Sequence, residues 1–390
     1  MNKRYNCSLF FAIVFFVAII SCNEKRIIPN QADFSDVDSI IYDYSDKENI
    51  IPRDSVFGKI SFIALETVDD NLIGMVDQVL FGDSTIIIVD RMIANGVFLF
   101  DMEGKYVGRM SRLGNGHNEF RRLSYVSKRP DNNFAVFDEL SNNIMIFDER
   151  GKHIETIKSD MFSSAMEFIG QDHIAFNIFA RYPDFYEPYY GASFVIKGLD
   201  MKLKYLFGHP GFDNHFNYTR YYNLYSFNDI VYCNVNFEDV IYELGVDSVK
   251  AKYRIIYGPD NVNNHQYKTK EEYYALMELY PFFEGEFIEL DDYTYLMFRG
   301  ENGRELFYKH STKETLALSS GYNNPMISFF RRPLARYGDK TMVCALPVSE
   351  ALYCKNILMQ TSPDDKNVTE LFSSISVDSN PILFFFDVVF

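Results

Sequence analysis

An all-β fold built from repeated four-stranded units is what this sequence predicts, on three observations. First, the stretch from Val76 to Lys158 states one pattern twice: an apolar run ending in Asp (Asp90, Asp138), a polar turn, and a second apolar run ending in Phe-Asp (Phe100-Asp101, Phe147-Asp148). Gly104-Lys105 and Gly151-Lys152 then lead into a third run. Second, the runs have strand length, are bounded by Asp, Asn or Gly, and keep no helical period across the turns. Third, aromatic residues make up 17% of the chain, as 37 Phe and 28 Tyr with no Trp, which suits rings packed on a pleated surface. Asp101 and Asp148 lie 47 residues apart, within the range of propeller blades. Residues 53–390 hold about seven such units. Allowing for insertions, the expectation is a six-bladed β-propeller with one short inserted helix, with seven blades as the alternative.

The first 21 residues read as an export signal. Lys3 and Arg4 precede an apolar run, Leu9 to Ile20, too short for a membrane-spanning helix, which takes about 20 residues. The sequence Ile19-Ile20-Ser21-Cys22 resembles a bacterial lipobox, which makes Cys22 the expected site of acylation. Residues 22–52, rich in Asp and Glu, read as an acidic tether. Within them SIIYDY, at Ser39 to Tyr44, could instead form a short docked strand.

Residues 53–390 are then the propeller. KISFIALE, at Lys59 to Glu66, alternates as a strand, and the duplicated stretch supplies the first two full blades. Asp101 to Gly104 and Asp148 to Gly151 are expected as tight turns, Gly supplying positive φ and Asp bonding the backbone two residues on. Each offers too few oxygens for a calcium loop. Beyond Lys158, MEFIGQDHIAFNIF with SFVIKG and LKYLFG makes a third blade, opened by the aromatic insertion Arg181 to Tyr190. NLYSFNDIVYCNVN, VIYELG and KAKYRIIYG make a fourth, and EFIELDDYTYLMFRG, ELFYKHS and ETLALS a fifth. The inserted helix is KTKEEYYALMELY, capped by Thr269 with Glu272 three residues on and stopped at Pro281. The sixth blade is read as ISFFRRPLARYGDKTMVCALP with ALYCKNIL, and PILFFFDVVF closes the ring.

Several of these segments together resemble the six-bladed β-propeller lipoproteins of Bacteroidetes: Ile63 to Thr67 (IALET), Leu72 to Gly74 (LIG), Phe100 to Lys105 (FDMEGK), Gly114 to Phe120 (GNGHNEF) and Ser379 to Leu383 (SNPIL). The resemblance implies that fold and an extracytoplasmic address. Family members usually carry Pro-Gly where this chain has His117-Asn118; Asn tolerates left-handed backbone, so the turn is expected to survive. Surface lipoproteins of that group tend to be acidic just after the lipidated Cys. Asn23-Glu24-Lys25-Arg26 departs from this, which favours an outer-membrane lipoprotein facing the periplasm over one on the cell surface.

The net charge of −16, or −18 once Lys3 and Arg4 leave with the signal, argues against nucleic acid as a partner and against adhesion to anionic lipid. Membrane contact is expected only through the anchor. A nucleophile elbow, a metalloprotease helix motif and a phosphate loop are all absent. His209, Asp213 and His215 are the one clustered set that could hold a divalent metal, though a polar loop explains them as well. Cys344 and Cys354 would face each other if MVCAL and ALYCKNIL formed a hairpin, permitting a disulfide, while buried reduced thiols are the simpler reading. Arg181, Tyr182, Tyr186, Tyr189 and Tyr190, joined by Arg220 and Tyr221, form a candidate binding rim, since Tyr offers contact area at low entropy cost with a polar tip. The expected function is a binding or scaffolding module for a protein, glycan or peptide, without cofactor. The alternative is a metal-dependent hydrolase or lyase acting on a glycan or lactone at the channel.

Overall fold

The computed structural model describes residues 29–43, 49–116, 118–178, 189, 192–208, 223–235, 238–258, 269–300, 303–361 and 364–390. Its N-terminal part is a strap. Asn30 bridges to Phe207, Asp33 to Lys250, and Asp38–Tyr42 (β1) pairs in parallel with a strand of the fourth blade, so the docked strand within SIIYDY forms. Ile50–Ile51 (β2) adds to the fifth blade. After one helical turn, Arg53–Val56 (α1), Phe57–Ala64 (β3) becomes the outermost strand of the sixth.

Six sheets follow in a ring. Blade 1 is Gln78–Phe81 (β4), Thr85–Asp90 (β5), Gly96–Asp101 (β6) and Tyr106–Arg112 (β7); blade 2 is Leu123–Lys128 (β8), Phe134–Asp138 (β9), Asn143–Phe147 (β10) and His153–Lys158 (β11). Blade 3 is Met166–Ile169 (β12), His173–Asn177 (β13), Phe194–Gly198 (β14) and Leu203–Phe207 (β15); blade 4 is Leu224–Phe227 (β16), Ile230–Asn234 (β17), Val240–Leu244 (β18) and Val249–Tyr257 (β19). Helix α2, Lys270–Leu279, carries the expected Thr269–Glu272 capping box and precedes blade 5, which is Phe282–Glu289 (β20), Tyr293–Arg299 (β21), Glu305–Lys309 (β22) and Glu314–Leu318 (β23). Blade 6 is Pro333–Tyr337 (β24), Thr341–Leu346 (β25) and Ile382–Val388 (β26), completed by β3.

Every blade is packed on both faces by its neighbours, so middle strands read as continuous apolar runs instead of alternating ones; all six residues of β5 are buried. The core therefore lies between blades. One cluster joins blades 1 and 2 through Val97, Leu99, Val136 and Phe147, and another joins blades 6 and 1 through Val343, Leu383, Ile88 and Phe98.

The repeat has a mechanical basis. The buried carboxylate of Asp90 accepts the N–H groups of Gly74, Met75 and Ile93, tying the segment that enters the blade to the turn after β5. Asp138 does the same in blade 2 for Arg121, Arg122, Leu140 and Ser141. At the outer turns, Asp101 accepts from the N–H groups of Glu103 and Lys105, and Asp148 from those of Arg150 and Lys152. Gly104 and Gly151 take φ of 83° and 78° there. In blade 3 the same turn persists with Met201 at φ 59°, which is why the pattern fades in sequence before it fades in structure. Asn118 adopts φ 72°, so the glycine-rich link between blades 1 and 2 keeps its left-handed turn.

One reading of the sequence is corrected. ALYCKNIL is not a strand: it lies within helix α3, Val348–Thr361, followed by α4, Lys366–Ser374, capped by the Asp365 side chain. Both helices are inserted between β25 and β26. The hairpin that would have set Cys354 against Cys344 is absent, because Cys354 rides on α3 while Cys344 lies buried in β25. Both thiols are free, as is that of Cys233, and burial pushes Cys344 up to about 12.

Second and fourth strands of a blade end at the same face of the disc. The two-helix insertion and helix α2 both belong to that insertion face. The opposite face carries tight turns, such as Gly82 to Ser84 and Gly338 to Lys340.

Candidate functional site: the central channel

The innermost strands β4, β8, β12, β16, β20 and β24 surround the axis, and polar side chains join them where no strand ladder can. Gln78 of blade 1 pairs with the backbone of Val126 in blade 2, its Nε2 donating to the carbonyl at 3.0 Å and its Oε1 accepting the N–H at 3.1 Å. Tyr125 Oη donates to Glu167 Oε1 at 2.8 Å and lies 3.3 Å from the Leu224 carbonyl oxygen. Since Tyr125 and Leu224 belong to blades 2 and 4, which are not neighbours, the phenol reaches across the axis. Ser127 Oγ donates to Glu167 Oε2 at 2.6 Å. Burial pushes Glu167 up to about 7, opposed only by these two hydroxyl bonds.

A cavity of about 430 Å³ occupies the channel and runs to the tight-turn face, where Gly82, Asn228, Gly338 and Asp339 line it. That volume suits a small molecule or a few residues of a larger one. Its walls include an aromatic group in which Phe287 meets Tyr225 at 5.0 Å and Phe227 at 5.8 Å, and another pairing Phe81 with Tyr337 at 4.8 Å. Three cations line it. Arg332 is held by Glu286 at 2.9 Å, and Arg336 by Asp291 and the Glu289 carbonyl. Lys128, half-buried at the end of β8, makes no ion pair among the described residues. A polar residue inside an otherwise apolar innermost strand, as in LSYVSK, MEFI or LYSF, was the available sequence signal for this lining.

The residues singled out from sequence fall elsewhere. Cys22, Arg181, Tyr182, Tyr186, Tyr190, His209, Asp213, His215, Arg220 and Tyr221 lie outside the described residues. Tyr189 is half-buried, with its ring 5.3 Å from the Lys197 ammonium, which Asp160 holds at 2.6 Å. A histidine–carboxylate pair that sequence reasoning passed over joins blades 4 and 5. Glu289 accepts from Tyr253 Oη and Thr294 Oγ1, both at 2.7 Å, and His310 Nε2 lies 2.9 Å from that same Thr294 oxygen. Thr294 is fully buried, so the network is a brace between blades. Among the described residues no three or more His, Cys, Asp or Glu approach closely enough to hold a metal ion.

The profile of a family described as a domain of unknown function, DUF4934, matches residues 40–387. Among solved structures the chain is similar to a Bacteroides fragilis protein named as exported, BF0058, at 16% identity and a TM-score of 0.72, covering 90% of this chain and 100% of that one. It is similar to a member of the DUF4221 family from Bacteroides vulgatus at 9% identity and a TM-score of 0.49, covering 86% and 97%. A virginiamycin B lyase from Staphylococcus aureus matches at 13% identity and a TM-score of 0.38, covering 73% and 80%. At these identities the likeness concerns the fold. No curated protein matches the sequence.

Proposed function

Because the chain belongs to the DUF4934 family, whose description names no activity, we propose its role from its own channel and N-terminus. It is a binding module, anchored outside the cytoplasm by an acyl group on Cys22, whose channel takes an acidic group carried by a glycan or a peptide. The observation that carries this reading is Lys128: an ammonium lining an aromatic-walled cavity with no anionic partner among the described residues. A carboxylate or phosphate entering from the tight-turn face would complete that charge. The rings of Tyr225, Phe227 and Phe287 would pack on the body that bears it. The export signal and the lipobox-like Cys22 support the address, and no helix among the described residues is long and apolar enough to cross a membrane.

Calorimetric titration with a uronic-acid oligosaccharide and with a peptide ending in an aromatic residue tests the reading and separates the two carriers. One of them should bind with a Kd of about 1 mM or tighter, with Lys128→Ala weakening it about tenfold and Lys128→Arg retaining it. Affinity indifferent to Lys128→Ala would overturn the channel reading. Radiolabelled palmitate entering the parent chain but not Cys22→Ala is the expected result for the anchor.

A further inference from the structure

The channel that takes the acidic group also holds a carboxyl of its own. Glu167 lines the same cavity as Lys128 and is only 5% exposed, and its two oxygens accept the hydroxyls of Tyr125 and Ser127 at 2.8 Å and 2.6 Å. Among the described residues no cation pairs with it. Lys128 follows Ser127 at the end of β8, nearest the mouth, whereas Tyr125 lies three residues earlier, about 10 Å deeper at the rise of a strand. An anion held at Lys128 and an ionised Glu167 would therefore share one enclosed space.

The groups packed around Glu167 do not neutralise it. Strand β8 brings Tyr125 and Lys128, β16 brings Tyr225, β17 brings the buried thiol of Cys233, and β13 brings His173 only at its far turn, opposite Ile169. Across the cavity Glu286 is held by Arg332 and Arg299, Arg336 by Asp291, and Asp77 by Arg91.

The hydroxyls leave room for two protonation states, with every hydrogen placed in both. With the carboxyl ionised, Tyr125 Oη donates to Glu167 Oε1 and Ser127 Oγ to Oε2. Tyr125 Oη also lies 3.3 Å from the Leu224 carbonyl oxygen, and its one hydrogen serves one of these acceptors well. When a proton from solvent bonds to Oε1, the new O–H donates to Tyr125 Oη, whose own hydrogen turns to the Leu224 carbonyl. Ser127 keeps its bond to Oε2. One proton thus moves the phenol's bond from blade 3 to blade 4 and removes a negative charge from the cavity. Burial pushes Glu167 up to about 7, so both states are populated near neutral pH.

We propose that Glu167 is a proton-operated control on the channel: it takes up a proton when an acidic group binds at Lys128, and Tyr125 then latches blade 2 to blade 4 across the axis. The inference rests on the channel reading above. Its sign is fixed by charge. Ionised Glu167 repels an acidic ligand and neutral Glu167 does not, so affinity falls as pH rises. At a separation of about 10 Å and an effective dielectric of about 20, that repulsion amounts to roughly tenfold in Kd.

In infrared spectra of the full, ligand-free chain, a protonated-carboxyl band should fall as pH rises through about 7 and be missing from Glu167→Gln. Tyr125→Phe removes a donor to the ionised form and should move that midpoint up. A Glu167 band that does not titrate between about pH 5 and about pH 9 overturns the proposal whether or not any ligand binds. Calorimetry then follows the uronic-acid oligosaccharide and the aromatic-ended peptide, whose carboxylates stay ionised, at about pH 6 and about pH 8.5. Kd should weaken roughly tenfold at the higher pH, with proton uptake on binding revealed by buffers of different ionisation enthalpy, and the change should vanish in Glu167→Gln. Binding whose pH dependence is absent, or persists in Glu167→Gln, overturns the coupling and spares the channel reading. No binding of either probe at either pH overturns both.

Discussion

In blades 1 and 2 the second strand ends in a buried carboxylate, Asp90 or Asp138, that gathers the backbone of a short turn and of the incoming link. In blade 6 the equivalent strand, β25, ends at Leu346, and the chain departs into α3 and α4 before returning as β26. The short turn buries none of its large apolar side chains, Met92 and Ile93 in blade 1 and Leu140 in blade 2 being exposed, and depends on one carboxylate to satisfy its N–H groups. The long insertion brings its own core: Val368, Leu371 and Phe372 are buried, and Phe372 meets Phe329 of the sheet's approach. Equivalent positions of one disc are thus held by hydrogen bonds where the connection is short and by apolar burial where it is long.

The largest effect expected from breaking this arrangement is at Asp138. Asp138→Ala strands several N–H groups in a buried site and should cost about 4 kcal/mol in urea unfolding, whereas removing an exposed acid such as Glu103 should be nearly silent. Next comes Glu167, a carboxylate held by hydroxyls instead of backbone N–H groups and raised from 4.5 to about 7 by burial. A carboxyl whose folded pKa exceeds its unfolded value binds its proton more tightly when folded. Its contribution is therefore complete below pH 4.5 and is lost as pH rises through about 7. Relative to Glu167→Gln, the parent chain should lose about 3 kcal/mol between pH 4.5 and pH 8, read from denaturation at each pH.

Gly104→Ala should cost about 2 kcal/mol. Its φ of 83° disfavours any Cβ, and the added atom would sit 2.8 Å from the Ala64 carbonyl oxygen. The smallest effect sharpens the comparison from the other side: Met201 occupies the equivalent turn of blade 3 in left-handed backbone, and Met201→Asn should raise stability by about 0.5 kcal/mol, visible as a small rise in Tm.

The propeller was legible because Asp90, Asp138, Gly104 and Gly151 do backbone work that few other residues can do, so their spacing survives in the sequence. Blade 3 was harder to see since Met201 pays for that conformation with strain and leaves no glycine to notice. The helices of blade 6 were misread although their signals were present. Pro347 opens α3, and Val368, Leu371, Phe372 and Ile375 follow a helical period after the Asp365 cap. A short apolar run such as ALYC fits strand and helix alike, and the expectation of a fourth strand decided it. That strand came from the other end of the chain. The channel was the least legible part, because its lining takes one or two residues from each innermost strand. Tyr125, Lys128, Glu167 and Tyr225 become neighbours only when the disc closes.

β3 and β26 pair over almost their whole length although roughly 320 residues separate them in the chain. No incomplete polypeptide can seal the disc, since the sixth wedge gains its middle only when the final strand has been delivered. Until then β3 offers an open edge of Phe, Ile and Ala that invites pairing with other chains. For a chain threaded outward from its N-terminus, that edge emerges first and waits longest. Loss of a few C-terminal residues would therefore leave a sticky, unclasped ring instead of a shorter one.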